Sequence, residues 1–180
     1  MVLAGSSVIR GSASPALRKF VEKTRIPVTT SFMGIGAVPA DSRFFLSTYG
    51  IQPRDYISCG FDRADLIIAV GYDPVECNAK YFNPDKDKKI IHIDFTPAEV
   101  DAHYEALELV GDIATTLTLL TGHVDFQKEY IYDVKLKEMI KSSLPDLVSP
   151  FASEKTKSIL FDLDTKTSSN IFSSQYASIF

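Results

Sequence analysis

The sequence predicts an α/β domain in which a parallel sheet is covered by helices on both faces, an arrangement of three αβα layers. Short apolar runs alternate along the chain with segments whose apolar residues recur at helical spacing. The run Leu66–Gly71 is apolar throughout, as a strand buried on both faces should be. The turns between these segments are short, which favours parallel strands joined through helices.

The first element is the run Val2–Ala4, which is predicted to be a strand followed by a turn at Gly5-Ser6-Ser7. Ser14 and Pro15 then indicate a helix start, because serine is a favoured N-cap and proline is tolerated at the first helical position. Ile26–Thr30 is predicted to be the second strand.

Residues 31–62 carry several glycines and prolines without a clear period, so neither a strand nor a helix is predicted there. Three further strands are predicted downstream, at residues 66–71, 90–94 and 107–112. The predicted sheet therefore has five strands. Thr96-Pro97-Ala98-Glu99 has the pattern of a capping box and predicts another helix start. Asp112 is placed to cap a last helix over residues 113–121.

Composition excludes several classes of function. The chain has 180 residues, 45% of them hydrophobic, and a net charge of −4 without a basic stripe, which argues against nucleic-acid binding. No apolar run approaches the ~20 residues that span a bilayer, so no membrane partner is expected. Cys59 and Cys77 lack zinc-site spacing and fit a reducing compartment, so we expect a cytoplasmic protein.

The chain changes character after Gly122. Residues 1–121 show consistent strand and helix patterning and are predicted to form one domain. Residues 122–152 are charged, carry prolines, and are predicted to be a linker. Residues 153–164 have the pattern of a short helix, whereas residues 165–180 are serine-rich without a period and are predicted to be disordered.

Ligands of open parallel sheets bind outside the carboxyl ends of the strands, so the strand-end turns are the candidate site. Glycines there let a backbone approach a phosphate, although each of them is also explained by a tight turn. The G-x-G-x-x-G fingerprint is absent. The three histidines have no mutual metal spacing, and no Ser/His/Asp or Cys/His set stands out. We therefore predict no catalytic residue and no metal ligand in this chain.

Several stretches together resemble one family, the central domain of thiamine-diphosphate-dependent enzymes of the acetolactate synthase type. They are residues 3–5, 16–20, 26–39, 65–76, 90–94 and 109–113. Their order and spacing agree with the family over roughly residues 1 to 121. The resemblance implies a Rossmann-like, doubly wound parallel sheet, and it identifies residues 153–180 as the start of a truncated third domain with a disordered tail.

The resemblance also implies where the chemistry of such enzymes resides. Thiamine diphosphate and magnesium are held by the flanking domains, through an activating glutamate and a Gly-Asp-Gly motif. This chain shows neither feature, since Gly111-Asp112 is followed by Ile113. The expectation is a central domain or fragment of an acetolactate synthase-like transferase that is structural and inactive alone. Its expected partners are the flanking cofactor-binding domains and, at full length, further copies in a homo-oligomer.

In flavin-containing relatives the central domain holds FAD along its strand-end turns. Carried over by position, the cofactor-binding candidates are Gly5, Ser6, Ser7, Thr30, Gly50, Ile51, Gln52, Gly71, Asp94 and Asp112. The sequence departs from the flavin pattern at Pro53, where backbone approach is expected. It departs again at Gly71-Tyr72-Asp73-Pro74-Val75-Glu76, which has no arginine at the flavin-contact position. These departures resemble the flavin-independent acetolactate synthases and predict weak FAD binding at most.

The sequence leaves two other hypotheses about function open. The chain could be a free-standing binder of an adenine-containing cofactor such as FAD, NAD or a part of CoA, or, less in keeping with its motifs, a self-sufficient small enzyme. A separate expectation concerns the surface. Removal of partner domains is predicted to leave apolar patches exposed, with contributions from the aromatic residues Phe44, Phe45, Tyr49, Tyr56 and Phe61.

Overall fold

The fold is described from a computed structural model, which describes residues 1–50, 57–99 and 102–124. The strands are β1 (Val2–Ala4), β2 (Val28–Thr30), β3 (Phe45–Thr48), β4 (Leu66–Val70), β5 (Lys89–Asp94) and β6 (Ala106–Val110). The α-helices are α1 (Ser6–Arg10), α2 (Ser14–Thr24), α3 (Ser58–Arg63) and α4 (Ile113–His123). Short 3₁₀ turns cover Phe32–Gly34 and Ala79–Tyr81.

The strands form one six-stranded sheet in the order β3-β2-β1-β4-β5-β6, and every adjacent pair is parallel. The chain therefore builds outward from β1 to β3 and then returns to the centre to continue with β4. This order is that of the Rossmann-like doubly wound fold, and it confirms the predicted fold class. The reversal places a topological switch point between the carboxyl ends of β1 and β4.

Alternating strand residues point to opposite faces of the sheet and supply two separate cores. On one face, Val2, Ala4, Ile68 and Val70 pack with Leu17 of α2 and Leu117 of α4. On the other face, Leu3, Ile67 and Ala69 pack with Phe61 of α3 and Phe82. Helices thus cover both faces, as the apolar character of β4 predicts.

The second core is built around aromatic rings, and it corrects the expectation that the aromatic residues between 44 and 61 are exposed. Tyr49 meets Phe61 edge to face, with 4.7 Å between ring centroids, and Phe61 stacks on Phe82 at 5.2 Å. Phe44, Tyr49 and Phe61 are all buried, Phe44 in the first core, and Phe45 is half-buried against that first core. Tyr56 lies outside the described residues. These aromatic residues therefore stabilise the domain itself.

Strand β3 is the strand of the described sheet that the sequence did not predict, and the short helices α1 and α3 were not predicted either. This strand is short, and only alternate residues of it are buried, since it forms one edge of the sheet. Its pairing with β2 also shifts register between Val28 and Thr30, which weakens any simple alternation in the sequence. The sheet therefore has six strands, and the prediction of five was wrong.

Two predicted helix starts also differ from the structure. The N-cap of α2 is Ala13, and Ser14 is its first residue, so the serine side chain caps nothing there. The predicted capping box at residues 96–99 begins no helix, because residues 97–99 have no regular structure. The Thr96 carbonyl instead lies 3.3 Å from His92 Nε2.

The last helix begins as predicted. Asp112 is the N-cap of α4, and its side chain accepts a hydrogen bond from the Thr115 amide at 2.7 Å. The helix ends at His123, so it extends slightly past the predicted domain boundary at residue 121. The predicted linker beyond residue 124, the third-domain segment and the tail lie outside the described residues. No helix in the described part of the chain is long and apolar enough to cross a membrane.

Candidate functional site

The structure brings the predicted site residues to one edge of the sheet. Gly5 and Gly71 follow β1 and β4, whereas Thr30 and Asp94 end β2 and β5. Gly50 and Asp112 lie just beyond β3 and β6. Parallel strands share one carboxyl edge, so residues from six separate segments are gathered there. Ile51 and Gln52, the other two candidates of the Gly50 turn, lie outside the described residues.

Burial divides these candidates into two groups. Gly50 and Asp112 are exposed, whereas the candidates of the four inner strands are buried. The buried candidates are Gly5, Ser6, Ser7, Thr30, Gly71 and Asp94. The inner part of the carboxyl edge is therefore filled by the protein's own atoms.

Backbone contacts fill the switch point itself. The Gly5 amide donates to the Val70 carbonyl at 2.8 Å, and the Ser7 amide donates to the Gly71 carbonyl at 3.1 Å. A Cβ atom on Gly5 would lie 2.2 Å from the Gly71 oxygen. Gly71 has a φ of +62° and would place a Cβ 2.6 Å from the Val8 amide nitrogen. Both glycines are needed for the two strand ends to pack against each other.

The hydroxyl groups at this edge have internal partners. Arg10 Nη2 donates to the hydroxyl oxygens of Ser6 and Ser7, each at 3.2 Å. The Thr30 and Thr48 hydroxyls lie 3.2 Å apart and share a hydrogen bond between β2 and β3. Thr30 is wholly buried, so its hydroxyl faces the neighbouring strand. These side chains join adjacent segments of the domain.

Asp94 and Asp112 have distinct environments. Asp94 is buried, and its Oδ1 accepts a hydrogen bond from the Phe95 amide at 2.6 Å. It lies near Tyr104, whose hydroxyl is 2.9 Å from His92 Nδ1. Burial, followed by the charges of Asp94 and Glu108, raises the pKa of Tyr104 well above its ordinary value. Hydrogen bonds from Thr115 lower the pKa of Asp112, which is the ordinary behaviour of a capping carboxylate.

Glu76 is one of the polar residues at this edge that the sequence did not single out as site residues. Its Oε2 accepts hydrogen bonds from the Ser31 hydroxyl at 2.5 Å and from the Met33 amide at 3.1 Å. It stands in the loop that departs from the flavin pattern, which is the one sequence signal that points to it. Nothing in the sequence shows that this loop reaches the loop after β2, because 45 residues separate Ser31 from Glu76.

The described residues contain no group of three or more His, Cys, Asp or Glu side chains that could hold a metal ion. Two surface depressions, of about 330 and 610 Å³, lie away from the carboxyl edge. The first lies between α2 and residues 38–44, and the second lies near the amino ends of β4, β5 and β6. Neither contains the predicted site residues.

Comparison with known sequences identifies the family of this chain. Residues 1–120 match the sequence model of a family described as the central domain of thiamine pyrophosphate enzymes. The chain belongs to this family. The match covers the whole described sheet and confirms the family resemblance seen in the sequence.

Relatives of this central domain include acetolactate synthases. An acetolactate synthase of Bacillus subtilis is 30% identical over 149 residues, which are 80% of this chain and 25% of that protein. A probable acetolactate synthase large subunit of Methanocaldococcus jannaschii is 32% identical over 152 residues, or 81% of this chain and 25% of that protein. The chain therefore spans about a quarter of the length of these relatives.

A solved structure supports the fold. An X-ray structure of a putative thiamin diphosphate-dependent enzyme from Mycobacterium smegmatis matches with a TM-score of 0.59. The match covers 73% of this chain and 26% of that one, at 21% sequence identity. This chain therefore shares its fold with a segment that makes up about a quarter of that solved chain.

Proposed function

We propose that this central domain has an architectural role in an acetolactate synthase-like enzyme that joins pyruvate units. Its task is to pack against and space the flanking domains, which hold thiamine diphosphate and magnesium. The chain alone neither binds these groups nor turns over pyruvate. At full length we expect a cytoplasmic homo-oligomer.

One observation carries the proposal, namely the packing of the switch point. A nucleotide-binding crevice needs free amide groups and open space where the first strand meets the following helix. Here the Ser7 amide is already bonded to the Gly71 carbonyl, and the Gly5 amide to the Val70 carbonyl. These contacts support a packing role for the edge and give a cofactor no free donors at these positions.

The residues present do not fit thiamine diphosphate with magnesium. Magnesium prefers oxygen ligands and usually takes one or two carboxylates together with phosphate oxygens. Among the described residues no group of three or more His, Cys, Asp or Glu side chains could hold a metal ion, and the carboxylates of Asp94 and Glu76 each accept hydrogen bonds from the protein itself. Chemistry that depends on that cofactor is therefore assigned to the flanking domains, which supply its ligands when the cofactor is bound.

Titration calorimetry of the purified chain tests the proposal. We expect no saturable heat with thiamine diphosphate and magnesium, and no pyruvate consumption above a blank without protein. A chimera supplies the positive arm, in which residues 1–121 replace the aligned segment of the Bacillus subtilis relative. That chimera should form acetolactate if the domain acts as a spacer. Micromolar binding of thiamine diphosphate by the isolated chain, or a folded but inactive chimera, would contradict the proposal.

The rival function, a free-standing nucleotide binder, is favoured by one observation. The strand order around β1 and β4 is the order that dinucleotide-binding domains use. Calorimetry with FAD and NAD separates the two functions. Tight binding of either nucleotide by the isolated chain would establish the rival function and remove the architectural one.

A further inference from the structure

Glu76 belongs to the loop after β4, yet its carboxylate contacts the loop after β2. Ser31 and Met33 both donate to its Oε2. Its other oxygen, Oε1, is buried and has no hydrogen-bond partner among the described residues. The side chain therefore forms a bridge between two loops that are far apart in sequence.

The sheet order makes this bridge pass over the end of β1. Strand β1 lies between β2 and β4, so a side chain that joins the two outer loops must cross the carboxyl end of the middle strand. The same loop lies directly against the end of β1. The Ser31 amide donates to the Ala4 carbonyl at 2.8 Å, and a Cβ on Gly34 would lie 2.5 Å from that oxygen. In dinucleotide-binding sheets the diphosphate occupies this place beyond the first strand.

We propose that the Glu76 carboxylate keeps nucleotide diphosphates away from the carboxyl end of β1, a conclusion that rests on the architectural role proposed above. A carboxylate at this position repels a diphosphate through its charge, and the repulsion is strong where water is displaced. Ser31 and Met33 balance the charge only at Oε2, because Oε1 has no donor among the described residues. The bridge also restrains the loop that begins at Gly71, whose carbonyl accepts the Ser7 amide proton.

The test is a titration of the full ¹⁵N-labelled chain with ADP, followed by chemical shifts of the backbone amides. Glu76→Gln keeps an acceptor for Ser31 and Met33 but removes the charge. We expect its dissociation constant for ADP to fall by about tenfold or more relative to the wild type, with the shifts centred on Gly5 to Val8. Glu76→Ala removes both the charge and the bridge, and its affinity for ADP should rise by at least as much. Either variant therefore tests the proposal, provided that it folds.

Asp73→Asn is the matched control, because it makes the same charge change in the same loop. Asp73 Oδ1 accepts from the Val75 amide at 2.9 Å in an exposed hydrogen bond, so water screens this carboxylate more than it screens the buried Oε1 of Glu76. We expect its ADP affinity to stay within about twofold of the wild type. The proposed role of Glu76 would be overturned if a folded Glu76 variant bound ADP no more tightly than the wild type. An equal rise in ADP affinity in Asp73→Asn would overturn it as well. Micromolar ADP binding by the wild type would instead overturn the architectural role.

Discussion

Gly5→Ala tests the packing of the switch point most directly. A Cβ at this position would lie 2.2 Å from the Gly71 carbonyl oxygen and 2.7 Å from the Tyr72 Cα. Both are backbone atoms at the end of β4, so they cannot rotate away as the tip of a side chain could. Gly5 itself has a φ of −106°, which alanine adopts freely, so any effect comes from the contact and not from backbone strain.

The expected loss of stability is large for a single methyl group. Overpacking of a well-filled site costs about 1–3 kcal/mol when neighbouring groups can shift. The backbone of an inner strand cannot shift easily, so the cost here should lie at or above the upper end of that range. We expect Gly5→Ala to lower the free energy of unfolding by about 3 kcal/mol or more. At roughly 4 °C per kcal/mol, Tm should fall by about 12 °C or more.

Urea denaturation followed by circular dichroism measures this loss, with Gly111→Ala as the matched control. A Cβ on Gly111 would meet no atom within 4 Å, and its φ is not among the positive values of the chain. The control should stay within about 0.5 kcal/mol of the wild type. A Gly5→Ala protein within about 1 kcal/mol of the wild type would refute the claim that the two strand ends are in backbone contact.

Three other predictions concern named side chains. Phe61→Ala should lower the free energy of unfolding by about 3–5 kcal/mol in urea denaturation, because this ring is wholly buried. Phe32→Ala is the control and should change the free energy of unfolding by less than about 1 kcal/mol, because Phe32 is 53% exposed. The lowered pKa of Asp112 means that its cap stabilises the fold above the ordinary carboxylate pKa. This stabilisation is lost as pH falls through the pKa of the folded state. In thermal melts at acidic pH, Tm should therefore depend less on pH in Asp112→Asn than in the wild type. The raised pKa of Tyr104 means that the stability of the fold decreases as pH rises past about 10, where the phenol ionises in the unfolded chain. In thermal melts at alkaline pH, Tyr104→Phe should show a smaller decrease in Tm than the wild type.

The sequence by itself determined the fold class and most of the sheet. Strand β4 is apolar at every residue because both of its faces are buried, and this signal is local and easily seen. The cap at Asp112 was also predictable, since an N-cap bonds to an amide three residues ahead. The edge strand β3 was not, because an edge strand needs little apolar surface and this one pairs irregularly with β2.

Only the tertiary structure decided what the carboxyl edge does. The sequence predicted that glycines and hydroxyl residues gather there, since parallel strands share one edge. It could not show whether Gly5 and Gly71 leave room for a ligand or pack on each other, because that depends on distances between segments 66 residues apart. The partners of Glu76 were hidden for the same reason. Hydrogen bonds between distant loops are set by how strands are ordered in the sheet, and the strand order follows from packing of the whole domain.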